Sequence, residues 1–339
     1  MLSLENFNKR KFPLRVLATS VLALSMAAGF SIAHADDSAL PKLANKKPLR
    51  VGFAQTESNN PWRLAETKSF KDVAAKCGWQ MVMTDANSSA SKQVADIQSM
   101  IAQHVDLIVF PPREEKPLAP IVLQAKKAGI PVILVDRNVD QSVAKAGQDY
   151  ITFIGSDFIN QGQRAADWLI KATGGKAKII ELEGSTGASA ANDRKKGFDD
   201  VIAKNPGMQI IASQSGDFTL AGGKQVMEAF IKTYGNKINV VYAHNDDMAL
   251  GAIQAMEEAG MHPGKDIIVV SFDATKGGFQ AMAAGKMNVD VECSPLLGPQ
   301  LMSAVKDVVA GKPLPKRILT EETVFPMSVA AQTLPTRKY

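Results

Sequence analysis

The stretch Asn239-Val240-Val241-Tyr242-Ala243-His244-Asn245-Asp246-Asp247-Met248-Ala249-Leu250-Gly251-Ala252 decides how this chain is read. A β-branched apolar run passes directly into four polar residues, His244 to Asp247, and then into an amphipathic segment. That order is a buried strand, a polar turn and a helix. Open α/β sheets place ligand groups outside the carboxyl ends of their strands, so a cleft is expected at this turn. Two other strands end in similar chemistry: Val132–Val135 runs into Asp136-Arg137-Asn138, and Val269–Phe272 runs into Asp273. Carboxylates, amides and a guanidinium are planar groups that make paired hydrogen bonds, which suits adjacent hydroxyls better than an apolar ligand. The same Asp and Asn residues also suit helix caps, and for each of them both readings stand.

Outward from this stretch, short β-branched runs alternate with amphipathic segments, the pattern of βαβ units and a parallel sheet. Strands are predicted near residues 49–54, 79–84, 106–110, 132–135 and 151–154, and again near 177–182, 208–214, 238–243, 267–272 and 288–292. Val94, Ile97, Met100 and Ile101 recur at helical spacing, as do Leu118, Ile121, Val122 and Ala125, which Gly129 follows as a stop. Helices are predicted to begin near Ala188, Thr219 and Asp246. The repetition predicts two similar lobes. A helix over 296–309 and a strand-like stretch over 318–324 are too little for a third domain, so they are expected to pair back onto the lobes. The chain would then cross between them more than once.

Residues 1–35 have the parts of a secretory signal: basic Lys9, Arg10, Lys11 and Arg15, an apolar run over 16–32, and small Ala33 and Ala35 around His34. The mature chain is expected to begin at Asp36 and to be soluble and exported. Removing the signal takes away four basic side chains and one acidic one, which lowers the formal charge from +5 to +2 over the remaining 304 residues. The basic residues are scattered as on any solvated surface, so no nucleic-acid partner is expected. Cys77 and Cys293 are expected to be two buried thiols, although export would permit one disulfide. His104, His244 and His262 have no ligand spacing, and no metal or cofactor is expected. Gly222-Gly223-Lys224 lacks the remainder of a phosphate-binding loop, and Ser189 lacks the glycines of a nucleophile elbow. With no acid–base pair and no activated nucleophile, an enzyme has little support in the sequence and none is expected.

Several segments together resemble the periplasmic sugar-binding proteins of ABC importers, of the ribose-binding type and nearest to the galactofuranose binders. They are Val135-Asp136-Arg137, Asn192-Asp193-Arg194-Lys195-Lys196-Gly197-Phe198, Ser213 to Thr219, Tyr242 to Met248, and Phe272-Asp273. The resemblance spans nearly the whole mature chain. It implies an α/β architecture of two Rossmann-like lobes with parallel sheets, joined by a three-segment hinge, holding a sugar between them. It further implies a monomer that delivers its ligand to an inner-membrane ABC permease. On this basis Asp136 and Arg137 fix hydroxyls from the first lobe, while Arg194, Asn245 and Asp273 face the ligand from the second. Asn60, Trp62 and Arg63 match the asparagine and aromatic positions after the first strand, and Phe218 matches an aromatic opposite. Leu220 stands where several relatives carry a basic residue. At the hinge either Glu292 or Cys293 could face the cleft, and Glu292 is preferred because an acidic side chain serves hydroxyls. Residues 110–115 could form part of the rim or a solvated loop.

The resemblance divides the chain into a signal at 1–35, a first lobe of 48–155 with about 292–317, and a second lobe of 156–291 with about 318–332. A transcriptional repressor with the same ligand domain would need a helix-turn-helix before Leu49, where this chain has an apolar run.

Overall fold

The computed structural model describes residues 39–339, so the secretory-signal reading at 1–35 lies outside the described residues. The first half builds β1 (Arg50–Gln55), α1 (Pro61–Cys77), β2 (Gln80–Asp85), α2 (Ala90–Ala102), β3 (Leu107–Phe110), α3 (Glu115–Lys127), β4 (Val132–Val135) and β5 (Phe153–Gly155). The second half repeats the plan with α4 (Phe158–Thr173), β6 (Ala177–Glu183), α5 (Ser189–Ile202), β7 (Met208–Ser215), α6 (Leu220–Tyr234), β8 (Val240–Ala243), α7 (Asp246–Glu258), β9 (Ile268–Asp273), α8 (Lys276–Ala283) and β10 (Val289–Glu292). The chain ends with α9 (Gly298–Val309), β11 (Arg317–Leu319), β12 (Val324–Pro326) and α10 (Ala330–Thr333).

Two six-stranded sheets result, ordered β2-β1-β3-β4-β5-β11 and β7-β6-β8-β9-β10-β12. Every pairing is parallel except β10 with β12. Helices cover both faces, which is why β3, β4 and β8 are four-residue apolar runs buried throughout. In both sheets the order reverses beside the first strand, and that reversal opens a crevice at the carboxyl ends. The helices start where the local chemistry dictates. Asn60 caps α1 by accepting from the Arg63 N–H, Pro61 supplies a pre-set φ, and Gly78 ends the helix at φ +68°.

The expected strand over 318–324 is instead two strands in different sheets. β11 pairs with β5 of the first sheet, and β12 pairs with β10 of the second, so Ile318 belongs with the first sheet. The chain thus passes between the sheets three times, at 156–157, 293–297 and 320–323. Glu322, with 3% of its side chain exposed, ties these passages together. Its carboxylate accepts from Ser156 Oγ, from Thr320 Oγ1 at 2.7 Å, from Gln161 Nε2 at 2.7 Å and from the Ser294 N–H at 3.3 Å. Both cysteines are free thiols; Cys293 is buried as expected, but Cys77 is half-buried because it lies in the last turn of α1.

Candidate functional site

Between the two sheets lies a small cavity of about 30 Å³. Its walls come from both sets of strand ends. Glu57, Asn60, Trp62 and Arg63 follow β1, Asp136 and Arg137 follow β4, and Phe158 opens α4. Ala190 and Arg194 lie on α5, Phe218 precedes α6, Asn245 follows β8, Asp273 ends β9 and Cys293 follows β10.

The first-lobe wall is a network of buried charges. Arg63 reaches Asp136 at 2.7 Å, Glu66 at 2.8 Å and Glu57 at 3.2 Å. Arg137 places Nη2 3.3 Å from Glu57 and Nε 3.7 Å from Asp136. Its Nε and Nη1 are buried without a hydrogen-bond acceptor. Asp136 Oδ2 lies close to Arg63 but off the hydrogen-bond direction, so it too lacks an aligned partner. Burial opposes ionisation of Glu57, yet Arg137, Arg63 and Arg113 outweigh it and bring its pKa to about 2. Burial and then the like charge of Arg63 lower Arg137 to about 10, which leaves it a cation at neutral pH. A charged fork with spare N–H groups facing a cavity is a site for a hydrogen-bond acceptor that the protein does not itself supply.

On the second-lobe wall, Arg194 donates from Nε to Gln161 Oε1 at 2.9 Å and from Nη1 to the His244 carbonyl at 2.5 Å. Its guanidinium packs on Phe272 at 4.6 Å and Phe158 at 5.1 Å. Asp273 lies 3.6 Å from Arg194, and burial raises its carboxyl well above the usual range against the pull of that arginine. Asn245 acts both as cap and as lining. Its Oδ1 accepts from the Met248 N–H at 3.0 Å and its Nδ2 donates to the Phe218 carbonyl at 3.1 Å, which leaves one amide hydrogen and one lone pair for the cavity. Asp136, Asp217, Phe218, Asp273 and Ala274 all have left-handed φ, +108° at Asp273 and +56° to +58° at the others. Such strain persists only where the surroundings over-determine it, and of these residues Asp136, Phe218 and Asp273 line the cavity.

The lobes also touch across the cleft. Arg137 lies over the Phe218 ring at 5.2 Å, and Gly184 is required beneath that ring because a Cβ there would come within 2.0 Å of it. Arg113 Nη2 meets Asp217 at 2.9 Å, Asn192 donates to Glu115 at 2.6 Å, and the Asn138 N–H donates to Ser189 Oγ at 2.8 Å. Residues 110–115 are therefore rim rather than free loop. At the hinge side, the Trp62 indole N–H donates to the Cys293 carbonyl at 2.7 Å, and Arg63 lies 4.8 Å from the indole ring centre.

Of the residues expected to serve a ligand, Asn60, Trp62, Arg63, Asp136, Arg137, Arg194, Phe218, Asn245 and Asp273 are brought to this cavity. Glu292 is not among its lining. Its Oε1 lies 3.0 Å from Arg337 Nη2 and its Oε2 accepts from the Thr323 N–H at 3.2 Å, so a partner distant in sequence holds it and Cys293 takes the place beside the cavity. Of the polar run 244–247, only Asn245 reaches the cavity. His244 lies behind it, with Nε2 3.0 Å from Glu181 and Nδ1 accepting from the Gly184 N–H, while Asp246 accepts from Ser271 and Thr275. Leu220 is an exposed first residue of α6, outside the lining. Sequence reasoning missed Glu57 and Phe158. Glu57 stands in a plain polar loop, and only its three arginine neighbours in space distinguish it. Among the described residues no group of three or more His, Cys, Asp or Glu side chains is placed to hold a metal ion, and no helix is long and apolar enough to cross a membrane.

Two parallel α/β lobes with a polar cavity between their strand ends define a cleft-type receptor for a small molecule. The chain belongs to the periplasmic binding protein family: the model of the periplasmic binding protein domain matches residues 51–313. It is 40% identical to the galactofuranose-binding protein YtfQ of Escherichia coli over 311 residues, which covers 91% of this chain and 97% of that protein. A crystal structure from Mycobacterium smegmatis in complex with β-D-fucofuranose is similar at a TM-score of 0.81 and 48% identity, covering 86% of this chain and 95% of that one. The periplasmic component of the arabinose ABC transporter of Shewanella sp. ANA-3, bound to α- and β-L-arabinofuranose, is similar at 0.80 and 41%, covering 85% and 95%. YtfQ is named as a binding protein and the Shewanella protein as the binding-protein component of an ABC transporter, and this chain is a binding protein rather than an enzyme.

Proposed function

We propose that this protein is a periplasmic receptor that binds a monosaccharide in its furanose form between the two lobes and delivers it to an inner-membrane ABC permease. The observation that carries the reading is the cavity wall itself: Arg137 with buried, unpartnered N–H groups stands opposite Asp273 and Asn245, with Trp62, Phe158 and Phe218 around them. Sugar C–H faces pack on aromatic rings, and hydroxyl edges need donors and acceptors. The choice of ring form rests on the relatives, whose names and bound ligands are galactofuranose, fucofuranose and arabinofuranose. The lobes act as 48–155 with about 292–317 and 156–291 with about 318–332, with Ile318 and Leu319 assigned to the first, and the receptor works as a monomer.

A thermal-shift screen of the mature protein tests this. A ligand that binds only the folded state raises the melting temperature by mass action, by roughly 2.7 kcal/mol of stabilisation at a hundredfold excess over Kd. Galactose, fucose and arabinose, which supply furanose forms in solution, should stabilise the protein, and methyl pyranosides locked in the six-membered ring should not. A panel in which no monosaccharide shifts the transition refutes the sugar reading. Equal shifts from the locked pyranosides refute the furanose preference.

A further inference from the structure

The turn that carries Asp273 is held in an unusual way. Asp273 and Ala274 both have left-handed φ, +108° and +58°, and neither is glycine. On its inner side the turn is fixed by buried carboxyls: the Ala274 N–H donates to Asp290 Oδ1 at 3.0 Å and the Thr275 N–H to Asp246 Oδ2 at 2.8 Å. On its outer side it is fixed by residues far along the chain that neither sheet contains. Arg337 Nε donates to the Ala274 carbonyl at 2.9 Å, and Tyr339 Oη donates to the Asp273 carbonyl at 3.3 Å. The Lys276 N–H, at the start of α8, donates to the Tyr339 carbonyl at 2.7 Å. Arg337 is itself locked. Its guanidinium lies 3.0 Å from Glu292 and packs among the rings of Phe279, Phe325 and Tyr339, at 5.1, 5.3 and 4.8 Å.

These contacts add a side-chain brace to places that the sheet already makes neighbours, since Glu292 is the register partner of Asp273 and β12 pairs with β10: the strained turn bearing Asp273, the hinge residue Glu292 next to Cys293, and the strand β12. An unfavourable backbone conformation survives only where its surroundings enforce it, and a planar five-donor fork can hold a carbonyl and a carboxylate together in a way that a lysine cannot. We propose that Arg337, with Tyr339, is a positioning residue for ligand binding: it touches no ligand but holds Asp273 aimed into the cavity and ties that turn to the hinge. This rests on the reading of the cavity as the ligand site.

The test uses the full mature chain with two readouts. The first is titration calorimetry with D-galactose and L-arabinose on Arg337→Ala, Asp273→Ala and the double variant. Arg337→Ala should weaken binding about tenfold in the wild-type background and by no more than about twofold when Asp273 is already alanine, because contacts acting through one residue are not additive. The second is hydrogen exchange in the ligand-free protein. The 273–276 segment should exchange faster in Arg337→Ala while the 245–248 segment keeps its protection. Equal losses of affinity in both backgrounds, or an unchanged 273–276 segment, overturn the proposal. If the wild type binds neither sugar, the functional reading fails, and exchange alone still decides whether Arg337 holds the turn. Should Arg337→Ala fail to fold, Tyr339→Phe removes only the hydroxyl; it should give a two- to threefold loss of affinity, again absent from the Asp273→Ala background, and affinity and exchange both equal to wild type overturn the proposal.

Discussion

Replacing Arg137 with alanine should separate binding from folding. The guanidinium is 3% exposed and keeps Nε and Nη1 without acceptors, and the proposed function gives those donors to the ligand. One hydrogen bond from a charged group contributes ~1.5–3 kcal/mol, which is ~10- to 150-fold in affinity, and loss of both donors moves the effect toward the upper figure. The fold has a reason to survive, because Glu57 retains Arg63 at 3.2 Å and Arg113 at 3.7 Å and Asp136 retains Arg63 at 2.7 Å. No carboxylate is stranded. Arg63→Ala makes the contrast, since it removes the cation shared by Glu57, Glu66 and Asp136 and leaves Glu66 with no other cationic partner among the described residues. Breaking a buried ion network in that way costs ~3–5 kcal/mol of stability. Calorimetric titration with the sugar that stabilises the wild type, alongside thermal unfolding of the free variants, reads both effects. An Arg137→Ala protein whose Kd lies within twofold of wild type refutes the reasoning, as does a melting temperature that falls as far as that of Arg63→Ala.

Two further outcomes follow from the same geometry. Glu57 is depressed from 4.5 to about 2, so its contribution is present above pH 4.5 and is lost as pH falls from there toward 2; the shift amounts to something on the order of 3 kcal/mol, and Glu57→Gln should flatten the acid limb of a melting-temperature profile between pH 5 and pH 3, whereas an unchanged limb would show that the arginines do not govern this carboxylate. Asp217 is 55% exposed where it meets Arg113 across the cleft, so Asp217→Asn should weaken binding by no more than about fivefold, through faster dissociation; small-angle scattering should still show contraction with sugar, and a wild-type radius of gyration that does not change at saturating ligand would rule out hinge closure as the response.

Much of the architecture could be read from local pattern, because a parallel sheet covered on both faces writes its strands as unbroken apolar runs. Val132–Val135 and Val240–Ala243 are such runs, and both are buried strands. The polar residues that end them lie at the crevice for the same topological reason. What local pattern could not carry is the pairing of distant segments. Residues 318–324 read as one strand because nothing in them states that Arg317–Leu319 joins β5 while Val324–Pro326 joins β10. Glu292 read as a ligand group because its alternative partner, Arg337, lies 45 positions further on and carries no motif. His244 and Asp246 read as cleft residues because polarity at a strand end looks the same whether the side chain faces a ligand or a buried carboxyl network. Glu57 had no signal at all, since its role depends on Arg63, Arg113 and Arg137 converging from three separate loops and helices.

The late strand β11 has a consequence for how the molecule is made. The first sheet is closed at its β5 edge by Arg317–Leu319, and α1 is packed by α9, so both wait until the stretch from α4 to β10, which builds five of the six strands of the second sheet, has been synthesised. A chain emerging from its amino end therefore cannot finish its first lobe, and a product that stops before residue 317 keeps an open sheet edge of the kind that invites aggregation. The two lobes must mature together, as a late and largely non-local event, which favours slow folding. By the same interleaving, a single protease cut at 156–157 would not divide the molecule lobe from lobe, because the carboxyl-terminal fragment still carries the β11 and α9 that pair with β5 and α1 of the amino-terminal one.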